Sequence, residues 1–273
     1  MSYKYSFIGV GNIANAIIAA MSSLKGNINI ASSDIYLYDK STSQMDKFNG
    51  KYNILSSIAE CILQTDFIFL CVKPQNYREV LEHIRDMKTD LTKKTFVSVA
   101  AGISTAQICE CLGFQASVIR TMPNTPMTIG LGVCAICHNE KVDAKKFQNI
   151  CRILSARSEL LVLDESKMNK IIGITSSSPA YVYKFIDALY DAAIKEGLDD
   201  PKILDCICKV FIGSAQMVLN SNVSTKDLIR AVKSPNGTTE RALCVFDKND
   251  FDNIITEAVV ECNKRADTLG EEM

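Results

Sequence analysis

The chain has 273 residues, 47% of them hydrophobic, and its 30 basic and 31 acidic side chains nearly cancel. This length suits one large or two ordinary domains with real cores, and the balanced charge gives no reason to expect nucleic acid as a partner. The polar start does not resemble a signal peptide, and no unbroken apolar run reaches the roughly 18 to 20 residues of a membrane span, so we expect no membrane association.

Eleven cysteines are scattered along the chain, mostly inside apolar runs, where cysteine behaves as a small buried hydrophobic residue. Cys134 and Cys137 have the spacing of a redox or metal-binding pair. The surrounding run 132–138 is typical of a β-strand, however, and a strand turns residues three apart to opposite faces. We therefore predict no metal site there. Thiols without a secretory signal favour a reducing, cytoplasmic location.

The first half of the chain alternates predicted strands with predicted helices. Strands are expected at 5–8, 34–39, 66–72, 94–99 and 117–120, with a last one or two at 131–137 and 159–163. Helices are expected after residue 13 and near 42–49, 56–64, 75–87, 104–112 and 143–155. The segment 66–72 is apolar almost throughout, as is usual for a strand buried on both faces of a parallel sheet. This βαβ pattern predicts an α/β domain with a mostly parallel sheet and helices on both faces.

From about residue 165 the pattern becomes helical. A helix with Pro179 in its first turn is predicted, because apolar residues recur beyond it at helical spacing. Further helices are predicted after Pro201, after Ser224, which begins a Ser-x-x-Asp capping pattern, and after Asp250. Their apolar faces are broad for isolated helices and need a surface to cover them. We therefore expect an all-helical second half that forms a homodimer.

A glycine motif joins the first strand to the first helix, with the sequence Gly9-Val10-Gly11-Asn12-Ile13-Ala14. Gly9 permits a tight turn, Gly11 leaves room for a pyrophosphate, and Ala14 lets the helix pack closely on the strand. The free N–H groups and the dipole at the helix start favour phosphate. An acidic residue, Asp39, follows the second strand, as the dinucleotide fingerprint requires. The motif predicts a dinucleotide site, although a tight turn without a ligand can have the same sequence.

Three further segments follow predicted strands on the same edge of the sheet, where ligands bind in such folds. They are Val72–Gln75, Ala100–Gly102 and Thr121–Pro126. Small residues and prolines there provide close, rigid walls for a flat nicotinamide ring. Each segment alone is equally typical of an ordinary turn. Together, beside the glycine turn, they favour a cofactor site.

Two hydroxyl-rich segments, Thr175–Tyr181 and Lys233–Glu240, lie at helix starts in the second half. Successive N–H groups in such turns bind small anions such as a carboxylate, although the same residues also serve as plain helix caps. The two histidines, His83 and His138, lie outside every candidate segment. Oxidation of an alcohol by NAD usually needs a general base, whereas reduction of an imine needs a hydride and a proton that an iminium can already carry. The segments therefore favour imine reduction.

Taken together, these segments resemble the pyrroline-5-carboxylate reductase family over nearly the full length. The match rests on Gly9–Ala14, Val72–Gln75, Ala100–Gly102, Arg120–Pro126 and Ser234–Thr239, in the family's order and spacing. The resemblance implies a Rossmann domain over residues 1–164 and a helical dimerisation and substrate-binding domain over 165–273. It also implies NADH or NADPH as cofactor, 1-pyrroline-5-carboxylate as substrate, and dimers that assemble into decamers in many members.

The resemblance, with the dinucleotide fingerprint, also assigns residues to roles. The cofactor-binding residues it implies are Gly9, Val10, Gly11, Asn12, Ile13, Ala14, Asp39, Lys40, Cys71, Val72, Lys73, Pro74, Ala100 and Ala101. The substrate-binding residues are Glu165, Ser234, Asn236, Gly237, Thr238 and Thr239. Thr239 takes the catalytic position beside the imine nitrogen.

The chain departs from the family pattern at a few positions. Ser176 and Ser178 replace the glycines of the family's Ser-Gly-Ser-Gly-Pro-Ala, which would strain the backbone if either position needs a positive φ. Asn236 also stands where the family has glycine, a milder change because asparagine tolerates positive φ. Ile58 stands where the family has an asparagine near the cofactor. These changes bear on substrate affinity and specificity.

We therefore expect reduction of 1-pyrroline-5-carboxylate to L-proline, the last step of proline biosynthesis. The alternatives are a reductase of a related cyclic imine or small acid, and a nicotinamide-binding protein without catalysis. Asp39 favours NADH because it accepts hydrogen bonds from ribose hydroxyls and repels a 2′-phosphate, whereas Lys40, Ser41 and Thr42 suit a phosphate. We expect use of both cofactors with a preference for NADH. The alternative role for Asp39 is to cap the next helix.

Overall fold

The computed structural model describes residues 3–24 and 30–273. The chain divides into two compact units. The first runs from the start of the chain to Ser177 and includes Glu261–Met273, and the second is Ser178–Val260. Within the first unit lies the sheet, and the second is helical. The domain boundary between residues 164 and 165, which the resemblance implies, stays a prediction. It refers to the domains of the family, whereas the two compact units reflect contacts within this chain.

Within residues 3–24 and 30–273, eight strands form one sheet in the spatial order β3-β2-β1-β4-β5-β6-β7-β8. The strands are β1 (Tyr5–Ile8), β2 (Ile35–Tyr38), β3 (Asn53–Ile54), β4 (Phe67–Leu70), β5 (Thr95–Ser98), β6 (Ser117–Pro123), β7 (Gly132–His138) and β8 (Ser158–Val162). The strands from β1 to β6 pair in parallel, β7 runs antiparallel to β6, and β8 is parallel to β7. The mostly parallel α/β sheet predicted from the sequence is confirmed.

A helix lies in every helical segment predicted from the sequence. The helices are α1 (Asn12–Ser23), α2 (Thr42–Met45), α3 (Ile58–Gln64), α4 (Tyr77–Asp86), α5 (Thr105–Leu112), α6 (Ala144–Ser155), α7 (Ser178–Lys195), α8 (Ile203–Asn220), α9 (Thr225–Val232), α10 (Thr238–Lys248) and α11 (Phe251–Glu271). However, α2 covers only the first half of the predicted segment 42–49. The predicted cap of α9 is present, because the Ser224 hydroxyl accepts a hydrogen bond from the Asp227 N–H at 3.2 Å. Pro179 lies in the first turn of α7, where its missing N–H costs nothing.

Alternate residues of the central strands face two separate layers of helices. Phe7, Phe69 and Val97 pack with α1 and α6, whereas Ile8, Leu70 and Phe96 pack with α3, α4 and α5. Both sets are fully buried, which explains why these strands are apolar at nearly every position. The same alternation in β7 places Cys134 and Cys137 in different clusters, as predicted from strand geometry. The described residues contain no group of His, Cys, Asp or Glu that could hold a metal ion.

The helical unit buries little of its apolar surface within one chain. No side chain of α7, α8, α9 or α10 is buried. It contains a cluster of aromatic rings in which Phe185 lies edge-on to Phe211, Phe246 and Phe251 at centroid distances of 5.6 to 6.2 Å. By length and composition alone, α8 meets the criteria for a membrane span, which our search for unbroken apolar runs did not predict. Asp205 and Lys209 interrupt its apolar sequence.

The last turns of α11 pack against the loop after β5 through two glycines. Gly102 has a φ of +83°, and a Cβ there would lie 2.2 Å from the Ala266 carbonyl oxygen. A Cβ on Gly270 would lie 2.5 Å from the Gly102 carbonyl oxygen. The Gln107 side chain donates a hydrogen bond to the Gly270 carbonyl at 2.6 Å. The two backbones therefore touch directly, and only glycine permits this approach.

We predict that Gly102→Ala destabilises the protein by roughly 3 kcal/mol or more, because it adds a backbone clash to the cost of a left-handed conformation. Gly113→Ala is the matched control. Gly113 has a φ of +77°, but its nearest neighbour would be a flexible Arg85 carbon at 3.5 Å. The control should lose only about 1 kcal/mol. Denaturant unfolding measures both, and equal losses would contradict the backbone contact.

Candidate functional site

The glycine turn after β1 has the geometry that a pyrophosphate requires. Gly9 has a φ of +91°, and a Cβ there would lie 2.7 Å from the Cys71 carbonyl oxygen, so only glycine fits. Gly11 has no atom within 4 Å of the place where its Cβ would be, which leaves open space above the turn. Gly11 is the N-cap of α1, with no side-chain cap and no acidic residue in the first turn. The N–H groups at this helix start therefore suit a phosphate group.

Asp39 holds this turn in place. Its carboxylate accepts hydrogen bonds from the Val10 N–H at 2.7 Å and from the Ser41 N–H at 2.9 Å. The Gly9 N–H donates to the Tyr38 carbonyl at 2.8 Å. The N-cap of α2 is Ser41, without a side-chain cap, so Asp39 does not cap that helix as the alternative interpretation supposed. Its carboxylate instead joins the end of β2 to the glycine turn.

A cleft of about 430 Å³ opens where β1 meets β2 on one side and β4 on the other. This is the position at which the strand order reverses, where ligands bind in open α/β sheets. The structure brings together seven of the predicted cofactor residues in its lining: Gly9, Gly11, Asp39, Lys40, Cys71, Val72 and Lys73. The cleft is thus large enough for part of a dinucleotide, with a carboxylate and two lysines at its rim.

Several residues that line this cleft were not predicted from the sequence as part of a cofactor site. They are Ile8, Tyr38, Gln44, Asn76 and Val80. Ile8 and Tyr38 are the last residues of β1 and β2, and this position at a strand end was the signal available in the sequence. Ile58, which stands for the family's asparagine, lines the cleft as the first residue of α3.

The thiol of Cys71 is a neutral part of this wall. Burial raises the pKa of the Cys71 thiol far above its ordinary value. The group therefore stays protonated at physiological pH and contributes an apolar surface rather than a nucleophile.

Other predicted cofactor residues lie outside the lining of this cleft. Val10 and Ala14 are fully buried, and Ala14 packs α1 against the sheet. Asn12 and Ile13 are the first two residues of α1, and Pro74 begins the short 3₁₀ turn before α4. Ala100 is buried among the residues of α4 and α5, Ala101 packs beside Met122, and Gly102 contacts α11. The cofactor roles of Ala100 and Ala101 stay predictions.

The segment Arg120–Pro126 ties together the far half of the sheet. Asn124 accepts a hydrogen bond from the Val133 N–H at 2.9 Å and donates one to the Thr175 carbonyl at 3.0 Å. The Thr121 hydroxyl donates to the Ser98 carbonyl at 2.9 Å. These contacts connect β5, β6 and β7 with the turn at residues 172–176, so the polar residues of this segment have structural partners.

A buried ion pair anchors Glu165 to the sheet. The guanidinium of Arg120 lies 3.6 Å from a Glu165 oxygen, and its side chain is only 3% exposed. Glu165 also accepts hydrogen bonds from the Thr105 N–H at 2.7 Å and the Thr105 hydroxyl at 2.6 Å, at the start of α5. Burial lowers the pKa of Arg120 and the nearby carboxylate of Glu165 opposes that shift. Glu165 thus neutralises a buried cation and holds the loop after β5.

The two serines that replace family glycines lie in relaxed backbone. Ser176 ends a π-helical turn, Ile172–Ser176, and Ser178 begins α7. Among the described non-glycine residues, φ is positive only at Lys88, Asn236 and Asp250. Neither serine therefore needs the conformation that glycine alone adopts easily, and the strain considered from the sequence does not arise.

The segment Ser234–Thr239 forms a tight turn in the helical unit. Asn236 has a φ of +56°, which asparagine tolerates, as expected from the sequence. A Cβ on Gly237 would lie 2.2 Å from the Ser234 hydroxyl oxygen, so a larger residue there would force the Ser234 side chain to move. The Glu240 carboxylate accepts the Asn236 N–H at 2.8 Å and pairs with Lys233 at 3.2 Å, contacts that lower the pKa of Glu240. Thr238 and Thr239 then begin α10, where backbone N–H groups are free of helical partners.

Comparison with known proteins identifies relatives over the whole chain. The chain is 30% identical to the pyrroline-5-carboxylate reductase of Escherichia coli (strain K12) over 274 aligned positions, which cover 99% of this chain and 100% of that protein. It is 31% identical to the pyrroline-5-carboxylate reductase of Pseudomonas aeruginosa over 273 positions, with 99% and 98% covered. This chain belongs to the pyrroline-5-carboxylate reductase family.

Family models and solved structures agree with this membership. The model described as “Pyrroline-5-carboxylate reductase dimerisation” matches residues 165–269. The model described as “NADP oxidoreductase coenzyme F420-dependent” matches residues 4–102. The crystal structure of Plasmodium falciparum pyrroline carboxylate reductase with NADP bound superposes with a TM-score of 0.87 at 28% identity and 98% coverage of both chains. The predicted Rossmann fold followed by a helical dimerisation domain is thus confirmed.

Proposed function

We propose that this protein reduces the imine 1-pyrroline-5-carboxylate to L-proline with NADH or NADPH, in the cytoplasm, as the final step of proline biosynthesis. The observation that carries the proposal is the full-length match to reductases of this name. The cleft at the glycine turn supports it, because the turn offers free N–H groups beside open space. Eleven free cysteines are compatible with a reducing compartment.

The proposed cofactor site uses the cleft at the switch point of the sheet. The N–H groups at the start of α1 would hold the pyrophosphate, and Asp39 would accept hydrogen bonds from the adenosine ribose. Lys73, at the end of β4, contributes positive charge to the same cleft. A reduced nicotinamide, when bound, supplies the hydride that the imine carbon takes up.

The proposed substrate site uses the turn Ser234–Thr239. The N–H groups at the start of α10 and the Ser234 and Thr238 hydroxyls would bind the substrate carboxylate, since a helix start favours an anion. Asn236 and Gly237 give the turn its shape. The Thr239 hydroxyl would lie beside the imine nitrogen and donate a hydrogen bond as the amine forms. Glu165 accepts two hydrogen bonds from Thr105, and we propose that it contributes to the substrate site by positioning the loop before α5.

Thr239→Val should lower turnover of 1-pyrroline-5-carboxylate by roughly tenfold to a few hundredfold, because it removes a donor that acts on the reacting nitrogen. The assay follows oxidation of NADH and of NADPH with this imine. Thr239→Ser retains the hydroxyl and should restore most of the activity. An unchanged rate in Thr239→Val would remove Thr239 from the mechanism, and lost thermal stability with a normal rate would make it a helix cap. If the wild-type protein binds the cofactor but shows no turnover, the result would support a non-catalytic homologue. If it reduces only another cyclic imine or small acid, the proposed substrate is wrong.

Asp39 should give a modest preference for NADH. Repulsion of a 2′-phosphate at this partly exposed site is worth about 1 kcal/mol, which is less than tenfold in kcat/KM. Asp39→Ser should move the ratio of the two kcat/KM values toward NADPH. It should also weaken the binding of both cofactors, because the Val10 and Ser41 N–H groups lose their hydrogen-bond acceptor. A wild-type preference for NADPH above tenfold, or an unchanged ratio in the variant, would exclude Asp39 as the discriminating residue.

The proposed active form is a homodimer built through the helical unit and α11. The apolar side chains of α7, α8 and α11 that one chain leaves exposed include Val182, Val210, Met217, Ile254 and Val260. Covering these faces against a second copy would remove them from water. Light scattering should therefore give at least twice the mass of one chain, and an active monomer would contradict the proposal. Further assembly of dimers into a decamer stays a prediction from the family.

A further inference from the structure

Two lysines line the cofactor cleft, and they differ in their surroundings. Lys73 follows β4, whereas Lys40 follows Asp39 at the end of β2, where the adenosine ribose lies in dinucleotide-binding folds. Lys40 is therefore the cation placed to meet a 2′-phosphate. In this structure its ammonium group is already engaged by a carboxylate.

That carboxylate belongs to Glu79, in the first turn of α4. The Lys40 ammonium nitrogen lies 2.8 Å from a Glu79 oxygen, although the two residues are 39 positions apart in the sequence. The contact joins the end of β2 to the helix that follows β4, across the two sides of the cleft. Asn76, just before α4, and Val80, next to Glu79 within it, line the cleft themselves.

We propose that Glu79 is a specificity-determining residue that withholds Lys40 from a 2′-phosphate and thereby favours NADH. The inference rests on the proposed function and extends it to a residue outside the dinucleotide fingerprint. The Lys40 ammonium group pairs with Glu79, whereas the carboxylate of its sequence neighbour Asp39 accepts the Val10 and Ser41 N–H groups. To bind the phosphate of NADPH, Lys40 must first leave Glu79, and Glu79 then repels the phosphate.

The exposure of the pair sets the size of the effect. The side chains of Lys40 and Glu79 are 64% and 66% exposed, so water and salt screen them and the pair itself is weak. The pairing raises the pKa of Lys40 and lowers that of Glu79, so both remain charged around neutral pH. The result is a bias of several-fold between the cofactors, and it diminishes as salt increases.

The same helix offers a matched control. Glu82 lies one turn further along α4 and pairs with Arg78 at 3.8 Å, away from the residues that line the cleft. Glu82→Gln removes the same charge from the same helix without freeing Lys40. If the total charge of α4 determines cofactor binding, both variants should change the preference between the cofactors. If release of Lys40 determines it, only Glu79→Gln should change that preference.

The test is equilibrium binding of NADH and of NADPH, followed by the fluorescence of the reduced nicotinamide at low salt. Glu79→Gln should tighten the binding of NADPH by about twofold to fivefold and leave the binding of NADH nearly unchanged, the range expected for an exposed charge pair. Glu82→Gln should leave the ratio of the two dissociation constants unchanged. The double variant Glu79→Gln with Lys40→Met should lose the gain, because the freed cation is gone.

Three results would overturn the inference: an unchanged ratio in Glu79→Gln, an equal shift in Glu82→Gln, or a full gain in the double variant. Binding separates this failure from that of the proposed function. If wild-type protein binds both cofactors and reduces the imine while Glu79→Gln has no effect, only the role of Glu79 fails. If it binds neither cofactor, the proposed function fails and the role of Glu79 fails with it.

Discussion

The hydrogen bond from the Val10 N–H to the Asp39 carboxylate joins the two features on which the cleft depends. One is the glycine turn, in which Gly9 has a positive φ that only glycine adopts easily and lies against the Cys71 carbonyl group. The other is the end of β2, which pairs in parallel with β1 over four residues. Since β4 pairs with the other side of β1, three strand ends meet at this turn. The direction in which α1 leaves the sheet, and thus the position of its free N–H groups, follows from this arrangement.

The sequence was sufficient to predict the parts of the fold that are governed by local pattern. The apolar strands of the centre, the helices between them and the change to helices after residue 165 all follow from periodicity. Cys134 and Cys137 were correctly predicted on opposite faces because the alternation of a strand is geometric. The glycine turn could also be predicted from the sequence. Its residue types are required by the backbone conformation and by the close approach of neighbouring backbone atoms.

Features that depend on contacts between distant parts of the chain could not be predicted from the sequence in this way. The strand β3 has only two residues, too few to show a pattern. The reversal of β7 depends on the short connection after β6, which cannot carry a crossover and therefore returns antiparallel. The pairing of Lys40 with Glu79 and of Arg120 with Glu165 joins positions far apart in the chain. The conformation of Ser176 could not be deduced either, because a π-helical turn leaves no simple sequence signal.

The helical unit carries the turn Ser234–Thr239 and also the apolar faces that one chain leaves exposed. In the described chain no residue from Ser178 to Val260 is buried, although this unit carries the turn with Asn236 at a positive φ. Ordering such a unit costs conformational entropy that little apolar burial within one chain offsets. Its matched family model describes dimerisation, which supports burial of these apolar side chains by oligomerisation. The glycine turn, in contrast, is supported by the sheet of its own chain. Loss of assembly should thus disturb the turn Ser234–Thr239 before it disturbs the cleft at the glycine turn.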